Sequence, residues 1–93
     1  MTKFNLGILT MTRTVNDTIA DSEQFAIEIM AVLRRYTSCD WSDMCREDRT
    51  LNDSAVKSGL DRIVAAYGTS EGKIYIITEW NRSYTTIMFA EEY

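Results

Sequence analysis

Residues 60–89 read LDRIVAAYGTSEGKIYIITEWNRSYTTIMF, and this stretch decides the fold. Three runs in it are rich in β-branched and aromatic side chains, which is typical of strands: 60–67, 73–80 and 83–89. Gly68 and Gly72 bound a five-residue loop between the first two runs, and Asn81 and Arg82 supply a turn before the third. The stretch therefore predicts a three-stranded antiparallel meander.

The residues before this stretch predict one further strand and a helix. Residues 4–14 mix apolar side chains with threonines, a composition that favours a strand. Residues 16–20 are long enough only for a short helical turn. Asp21 followed three residues later by Gln24 resembles a capping box and predicts that a helix opens there. The apolar side chains of this helix recur at the helical interval: Phe25, Ile29, Val32, Leu33 and Tyr36.

A second helix is predicted from about Ser42 to Gly59, which is a natural left-handed stop. One stripe of side chains should face its packing partner: Trp41, Met44, Cys45, Asp48, Leu51, Asn52 and Ala55. Asp48 and Asn52 are polar, so either they make buried hydrogen bonds or the stripe follows the edge of a groove. Both alternatives stay open at this point.

Together these elements predict a single α+β domain over residues 1–93. The first strand completes a four-stranded, mainly antiparallel sheet, and the two helices, inserted after that strand, pack on one face. Trp41 should be a core anchor between the second helix and the sheet, because its bulk is costly to leave solvated. The other face would expose Tyr75 and Tyr84 with neighbouring threonines and isoleucines. This face or an edge strand could join two copies, so a homodimeric accessory or regulatory protein is one hypothesis.

The composition argues against several classes of function. The 93 residues include 10 Lys and Arg against 14 Asp and Glu, and the net charge of −4 has the wrong sign for direct nucleic-acid binding. Histidine is absent, which removes Ser-His-Asp and Cys-His nucleophile pairs. The spacing of Cys39 and Cys45 fits neither a redox motif nor a zinc site, and there is no glycine-rich cofactor loop. We therefore expect no catalytic residue, metal or cofactor.

Apolar runs in this sequence are too short for a membrane span or a signal peptide. Two isolated cysteines are typical of reduced thiols in a reducing compartment. The sequence therefore predicts a cytoplasmic protein without a membrane partner.

Acidic side chains gather around the second predicted helix: Asp40, Asp43, Glu47, Asp48 and Asp53. Converging carboxylates can hold a divalent cation, so a metal-dependent phosphodiesterase built on the first four of them is an alternative hypothesis. A solvated helix face is the simpler interpretation, because acidic neighbours such as Asp43 and Glu47 are ordinary on an exposed helix.

Three segments resemble a family of small proteins from plasmids, phages and integrative elements. They are DWSDMCRED at 40–48 with Asn52 following, RIVAAY at 62–67, and IYIITE at 74–79 with NRSYTT at 81–86 and the closing EEY at 91–93. Members are labelled "plasmid-related protein" or "type I restriction endonuclease subunit M". The second label implies methyltransferase or restriction work, and a chain without a cofactor loop or a cofactor-binding domain does not fit it. The resemblance leads us to expect glycine where this chain has Cys39 and Ser42, and proline where it has Ala90.

A small, acidic, non-enzymatic protein of mobile elements is similar in kind to inhibitors of CRISPR-Cas and restriction systems. The resemblance therefore implies a binding protein that inhibits a host defence nuclease, in which carboxylates partly imitate nucleic-acid phosphates. The predicted partner-binding surface combines the acidic region with the last hairpin: Asp40, Asp43, Glu47, Asp53, Tyr75, Trp80, Arg82 and Tyr84.

Overall fold

The computed structural model describes residues 3–93, which form a four-stranded sheet and three helices. The elements follow one another as β1 (Ile8–Met11), α1 (Arg13–Asp21), α2 (Glu23–Thr37), α3 (Arg46–Ser58), β2 (Ile63–Thr69), β3 (Gly72–Thr78), β4 (Tyr84–Phe89) and a short 3-10 helix (Ala90–Glu92). The strand order is β1-β4-β3-β2. The β2–β3 and β3–β4 pairs are antiparallel, whereas β1 runs parallel to β4. The α+β class and the meander are confirmed, and the sheet is mixed.

β1 is shorter than predicted because Thr12 ends it by capping a helix. The Thr12 hydroxyl accepts a hydrogen bond from the Val15 backbone N–H at 3.3 Å, so α1 begins at Arg13. A threonine at the end of a threonine-rich strand gave no sign of this role in the sequence. The prediction of only a short turn at 16–20 is wrong, and residues 3–93 form three α-helices where two were expected.

Helix α2 corresponds to the first predicted helix, and its buried side chains match the predicted stripe closely. Its N-cap is Ser22, one residue after the expected Asp21, and the Ser22 hydroxyl accepts from the Phe25 N–H at 3.1 Å. The buried side chains are Phe25, Ile29, Val32 and Tyr36. Phe25 stacks on Phe89 of β4 with ring centroids 5.6 Å apart. This face of the sheet, which we call the inner face, therefore carries the hydrophobic core.

The third helix, α3, starts later than predicted and packs differently. It begins at Arg46 and ends at Ser58, and Gly59, with a φ of 70°, caps it as the predicted stop. Its Asn52 amide donates to the Val64 carbonyl at 2.9 Å and accepts from the Val64 N–H at 3.3 Å. α3 thus lies beside the free edge of β2 and buries only a narrow strip, so the prediction that both helices pack on one face is only partly right. Cys45, Asp48 and Leu51, expected on the packed stripe, are exposed, whereas Asn52 is buried.

The connection between β2 and β3 is tighter than predicted. Thr69 pairs with Gly72, so only Ser70 and Glu71 turn the chain instead of a five-residue loop. The Glu28 carboxylate of α2 accepts hydrogen bonds from the Ser70 N–H at 3.1 Å and from its hydroxyl at 2.6 Å. These bonds lower the pKa of Glu28 and attach the hairpin to α2.

Two backbone positions have left-handed conformations that side chains other than glycine adopt rarely. Cys39 follows α2 with a φ of 61°, at a position where the resemblance led us to expect glycine. Arg82 in the β3–β4 turn has a φ of 60°. The thiols of Cys39 and Cys45 are free, and burial raises the pKa of Cys39.

Trp41 is buried as predicted, with 2% of its surface exposed. Its ring packs against Tyr36 of α2 at 6.1 Å and Phe4 at 6.5 Å between centroids. Its indole N–H donates to an Asp53 carboxylate oxygen of α3 at 3.0 Å. Trp41 therefore joins α2 to α3 at the boundary of the core.

Truncation of this anchor should be costly. We expect Trp41→Ala to lower the free energy of unfolding by about 3 to 5 kcal/mol, through lost burial and the cavity that remains. Trp80→Ala is the matched control, because Trp80 is 61% exposed and should change stability by less than about 0.5 kcal/mol. Urea denaturation of both variants measures the difference. Similar losses in the two variants would contradict the assignment of Trp41 to the core.

Candidate functional site

A groove of about 550 Å³ lies between α3 and the face of the sheet opposite α2, which we call the outer face. The helix side of the groove presents Asp48 and Leu51, and the preceding loop adds Asp43. The sheet side presents Val64 and Ala66 of β2, with Tyr75 of β3 next to them. This volume is typical of a binding cleft.

The floor of the groove is apolar because of how β2 alternates. Val64, Ala66 and Gly68 share the outer face, and their side chains are small or absent. Tyr75, which pairs with Ala66, therefore rises above them. On the opposite wall Leu51 is 68% exposed. A large apolar side chain of a ligand would find contacts on both sides here.

The two sides of the groove carry opposite charges. Asp43 and Asp48 lie on the helix side, and Arg62 and Lys73 lie on the sheet side. Neither Asp48 nor Lys73 has an ion-pair partner within residues 3–93. Arg62 donates to the Tyr93 hydroxyl at 2.6 Å, and Tyr93 in turn packs edge-on against Tyr75. The groove thus offers both an anionic and a cationic contact to a ligand.

Two of the predicted acidic residues share one cation. The Arg35 guanidinium donates to the Asp40 carboxylate at 2.9 and 3.3 Å and to Asp43 at 3.0 Å. Its carbon atom Cζ lies 5.0 Å from the centre of the Tyr67 ring. The hydrogen bonds from Arg35 lower the pKa of Asp40 to about 2. Much of the local charge of this pair is therefore balanced inside the fold.

The carboxylates of the metal hypothesis do not converge. Asp40 and Asp43 face Arg35, whereas Glu47 and Asp48 are exposed in the first turn of α3. Within the described part of the chain, no three Asp, Glu, Cys or His side chains are arranged to hold a metal ion. The hypothesis of a metal-dependent phosphodiesterase has no donor set to build on among these residues.

Arg82 serves as a structural tie. Its guanidinium donates to four backbone carbonyls, those of Asp61 at 2.7 Å, Ala55 at 2.9 Å, Trp80 at 3.1 Å and Glu79 at 3.2 Å. It therefore connects the end of α3, the start of β2 and the β3–β4 turn. Arg82 is one of the predicted contact residues, and in the structure its charged group is hydrogen-bonded to backbone carbonyls of the fold.

The remaining predicted contact residues lie apart from one another. Asp53 binds the Trp41 indole and lines a smaller, polar pocket together with Asp40. Trp80 is exposed at the β3–β4 turn, and Tyr84 lies on the outer face opposite Ile8 of β1. Of the eight residues predicted, only Asp43 and Tyr75 line the groove.

Leu51 belongs to the stripe for which a groove edge was one of the two open alternatives, and the structure places it at the groove. The groove residues Arg62 and Lys73 were not predicted. One signal was available for Lys73, which is two residues before Tyr75 on the same strand and so shares its face. No local signal marked Arg62, because its position depends on where α3 lies against the sheet.

No protein-family model, curated protein or solved structure matches this chain. None of the helices formed by residues 3–93 combines the length and the apolar character needed to cross a membrane.

The ion pair of Arg35 with Asp40 should make stability depend on pH in acid. Because the pKa of Asp40 is lowered to about 2 from its ordinary value of 3.8, the pair stabilises the fold fully above pH 3.8. This contribution is lost as the pH falls through about 2. Asp40→Asn keeps an acceptor for Ser42 but removes the charge, and it should cost at most about 1 kcal/mol at neutral pH, since solvent reaches both partners of this half-buried pair and screens it.

Chemical denaturation of the wild type and of Asp40→Asn between neutral and strongly acidic pH measures this effect. The difference in unfolding free energy between the wild type and Asp40→Asn should shrink as the Asp40 carboxylate is protonated. A gap of constant size down to pH 2 would mean that the charge of Asp40 is not what Arg35 stabilises.

The tie at Arg82 can be tested by a substitution that keeps its charge. Arg82→Lys should lower the free energy of unfolding by about 2 to 3 kcal/mol, because an ammonium group cannot reach all four carbonyls and hydrogen bonds from charged donors are the strong ones. Arg13→Lys is the control, since the Arg13 side chain is 94% exposed. Thermal unfolding of both variants shows whether the hydrogen bonds of Arg82 stabilise the fold. Equal melting temperatures of Arg82→Lys and Arg13→Lys would contradict this role.

Proposed function

We propose that this chain is a non-enzymatic binding protein of a mobile genetic element that inhibits a host defence nuclease in the cytoplasm. The groove between α3 and the outer face is the observation that supports binding, since it combines an apolar floor with opposite charges on its two sides. The resemblance at 40–48, 62–67 and 74–86 supports the class of partner, a CRISPR-Cas effector or a restriction enzyme.

The charges of the chain favour a basic partner. A net charge of −4 attracts the positively charged surfaces with which nucleases hold nucleic acid, and such attraction raises the rate of association. Glu47 and Asp48 have no ion-pair partner within residues 3–93, whereas Asp40 and Asp43 share Arg35, so the start of α3 presents uncompensated negative charge. Imitation of nucleic-acid phosphates is thus a supporting element of the proposal, and direct contact with nucleic acid is not part of it.

Aromatic side chains would anchor the complex. Tyr75 borders the groove, and Trp80 and Tyr84 are exposed on the neighbouring hairpin. Truncation of such residues at the centre of an interface often costs 2 kcal/mol or more of binding free energy. In the proposed complex, the acidic residues at the start of α3 orient the partner as it associates, and the aromatic side chains hold it once it is bound.

One observation favours a second candidate, a homodimeric accessory protein. β1 is an edge strand, and its Ile8 and Leu9 are exposed beside Tyr84. An exposed apolar edge of this kind can pair with a second copy. Light scattering over micromolar concentrations separates the candidates, since a monomer mass throughout would remove the dimer.

The proposal is tested by inhibition of purified host nucleases. We expect the wild-type chain to inhibit a Cas effector or a restriction enzyme. The double variant Glu47→Gln, Asp48→Asn should slow association by about tenfold, and the slowing should fade at high salt. Tyr75→Ala should instead speed dissociation by about tenfold or more.

A matched control variant neutralises one glutamate and one aspartate elsewhere, with Glu23→Gln on α2 and Asp17→Asn on α1. Circular dichroism checks that the helices survive, because acidic groups in the first turn also favour a helix. If the wild-type chain leaves every tested CRISPR-Cas and restriction activity of the host unchanged and binds none of these enzymes, the proposal is wrong.

A further inference from the structure

The free edge of β2 is only partly occupied. Asn52 of α3 bonds to both the N–H and the carbonyl of Val64, which must therefore point away from β3. The hydrogen-bonding direction of a strand repeats every two residues. The N–H and carbonyl groups of Ala66 and Gly68 consequently point outward as well, toward the groove.

No partner for these outward groups lies within the described chain. The side-chain and backbone hydrogen bonds of residues 3–93 include none to Ala66 or Gly68 from the side away from β3. Both residues line the groove, with Met44 and Asp48 on its far side. Asn52 thus binds the outward backbone groups of Val64, and the outward groups of Ala66 and Gly68 remain available to a ligand. An extended segment is the ligand whose own backbone repeats at this interval.

We infer that the groove binds an extended segment of the partner protein as an additional strand on the edge of β2. The added strand would exchange hydrogen bonds with the backbones of Ala66 and Gly68. This inference rests on the proposed function for the identity of the partner, and it specifies the chemistry by which that partner is held.

The side chains around this edge specify what the segment carries. Val64, Ala66 and Gly68 leave space on the outer face, so a large apolar side chain fits over them against Tyr75 and Leu51. Lys73 lies at the Gly68 end of this row, where it would pair with an acidic side chain. The inference is therefore an extended segment that carries an aromatic or large aliphatic anchor and one acidic side chain opposite Lys73. Asp48 on the helix side of the groove disfavours further acidic side chains in the segment.

A matched pair of variants isolates the backbone contact. A Cβ at Gly68 meets nothing within 4 Å, and its φ is not in the left-handed region, so Gly68→Ala is compatible with the fold and retains the N–H. Gly68→Pro removes the outward N–H, and proline is tolerated at edge strands when that group faces away from the sheet. Thermal unfolding first confirms that both variants fold. Ala66→Pro is the second test should Gly68→Pro prove unstable.

The probe is a peptide selected from a random dodecapeptide library displayed on phage, with the full wild-type chain as bait. We expect the selected peptides to carry an apolar anchor and an acidic residue. Their binding should slow hydrogen exchange at the Ala66 and Gly68 amides by at least about tenfold. Affinity should fall by about tenfold or more in Gly68→Pro relative to Gly68→Ala.

Several results would overturn the inference: recovery of no peptide, equal binding to the two Gly68 variants, or unchanged exchange at both amides. Protection that grows with protein concentration without peptide would assign the edge to a second copy of this chain instead. The nuclease assay separates the two proposals. If Gly68→Pro inhibits the nuclease as well as Gly68→Ala does, the strand addition is wrong and the inhibitor proposal stands. If the peptide binds the edge of β2 but the chain inhibits no nuclease, the inhibitor proposal is wrong and the strand addition stands.

Discussion

The guanidinium group of Arg82 is the interaction on which the arrangement of this fold depends. It binds carbonyls from the last turn of α3, from Asp61 two residues before β2 and from the β3–β4 turn that contains it. Gly7 comes so close to this turn that a Cβ would overlap with the carbonyls of Arg82 and Ser83, and Ile8 then begins the pairing with β4. The Arg82 side chain therefore fixes α3 relative to the meander, and the backbone of the same turn positions β1.

The groove is a consequence of the way α3 is held. Arg82 binds its last turn, Asn52 binds the edge of β2 from its middle, and Asp53 binds the indole of Trp41. In the core, hydroxyl groups of Tyr36, Thr78 and Thr85 form a chain with 2.7 Å between successive oxygens, which joins α2 to β3 and β4. With the helix and the sheet both fixed, the groove is formed before a ligand arrives, so binding costs little ordering of the protein.

The local sequence pattern predicted the elements that pair or pack with residues close to them in the sequence. The meander and the stripe of α2 follow from periodicity, and the stop of α3 follows from Gly59. The parallel pairing of β1, the edge position of α3 and the tie at Arg82 were not predictable, because each depends on atoms far away in the chain. The site shows the same division: Asp43 and Tyr75 were found from charge and aromatic character, whereas Leu51 and Arg62 acquire their position only when α3 lies beside β2.

The parallel pairing of β1 with β4 has a consequence for how the chain folds. β1 cannot form a hairpin with its partner, since all three helices and two strands lie between them in sequence. During synthesis the helices are complete before the residues of β2, β3 and β4 leave the ribosome, so their apolar faces have no sheet to cover. Contacts of such long sequence separation slow folding and prolong the exposure of apolar surface. The newly made chain should therefore depend on chaperones, or resist proteases poorly, until β4 has emerged.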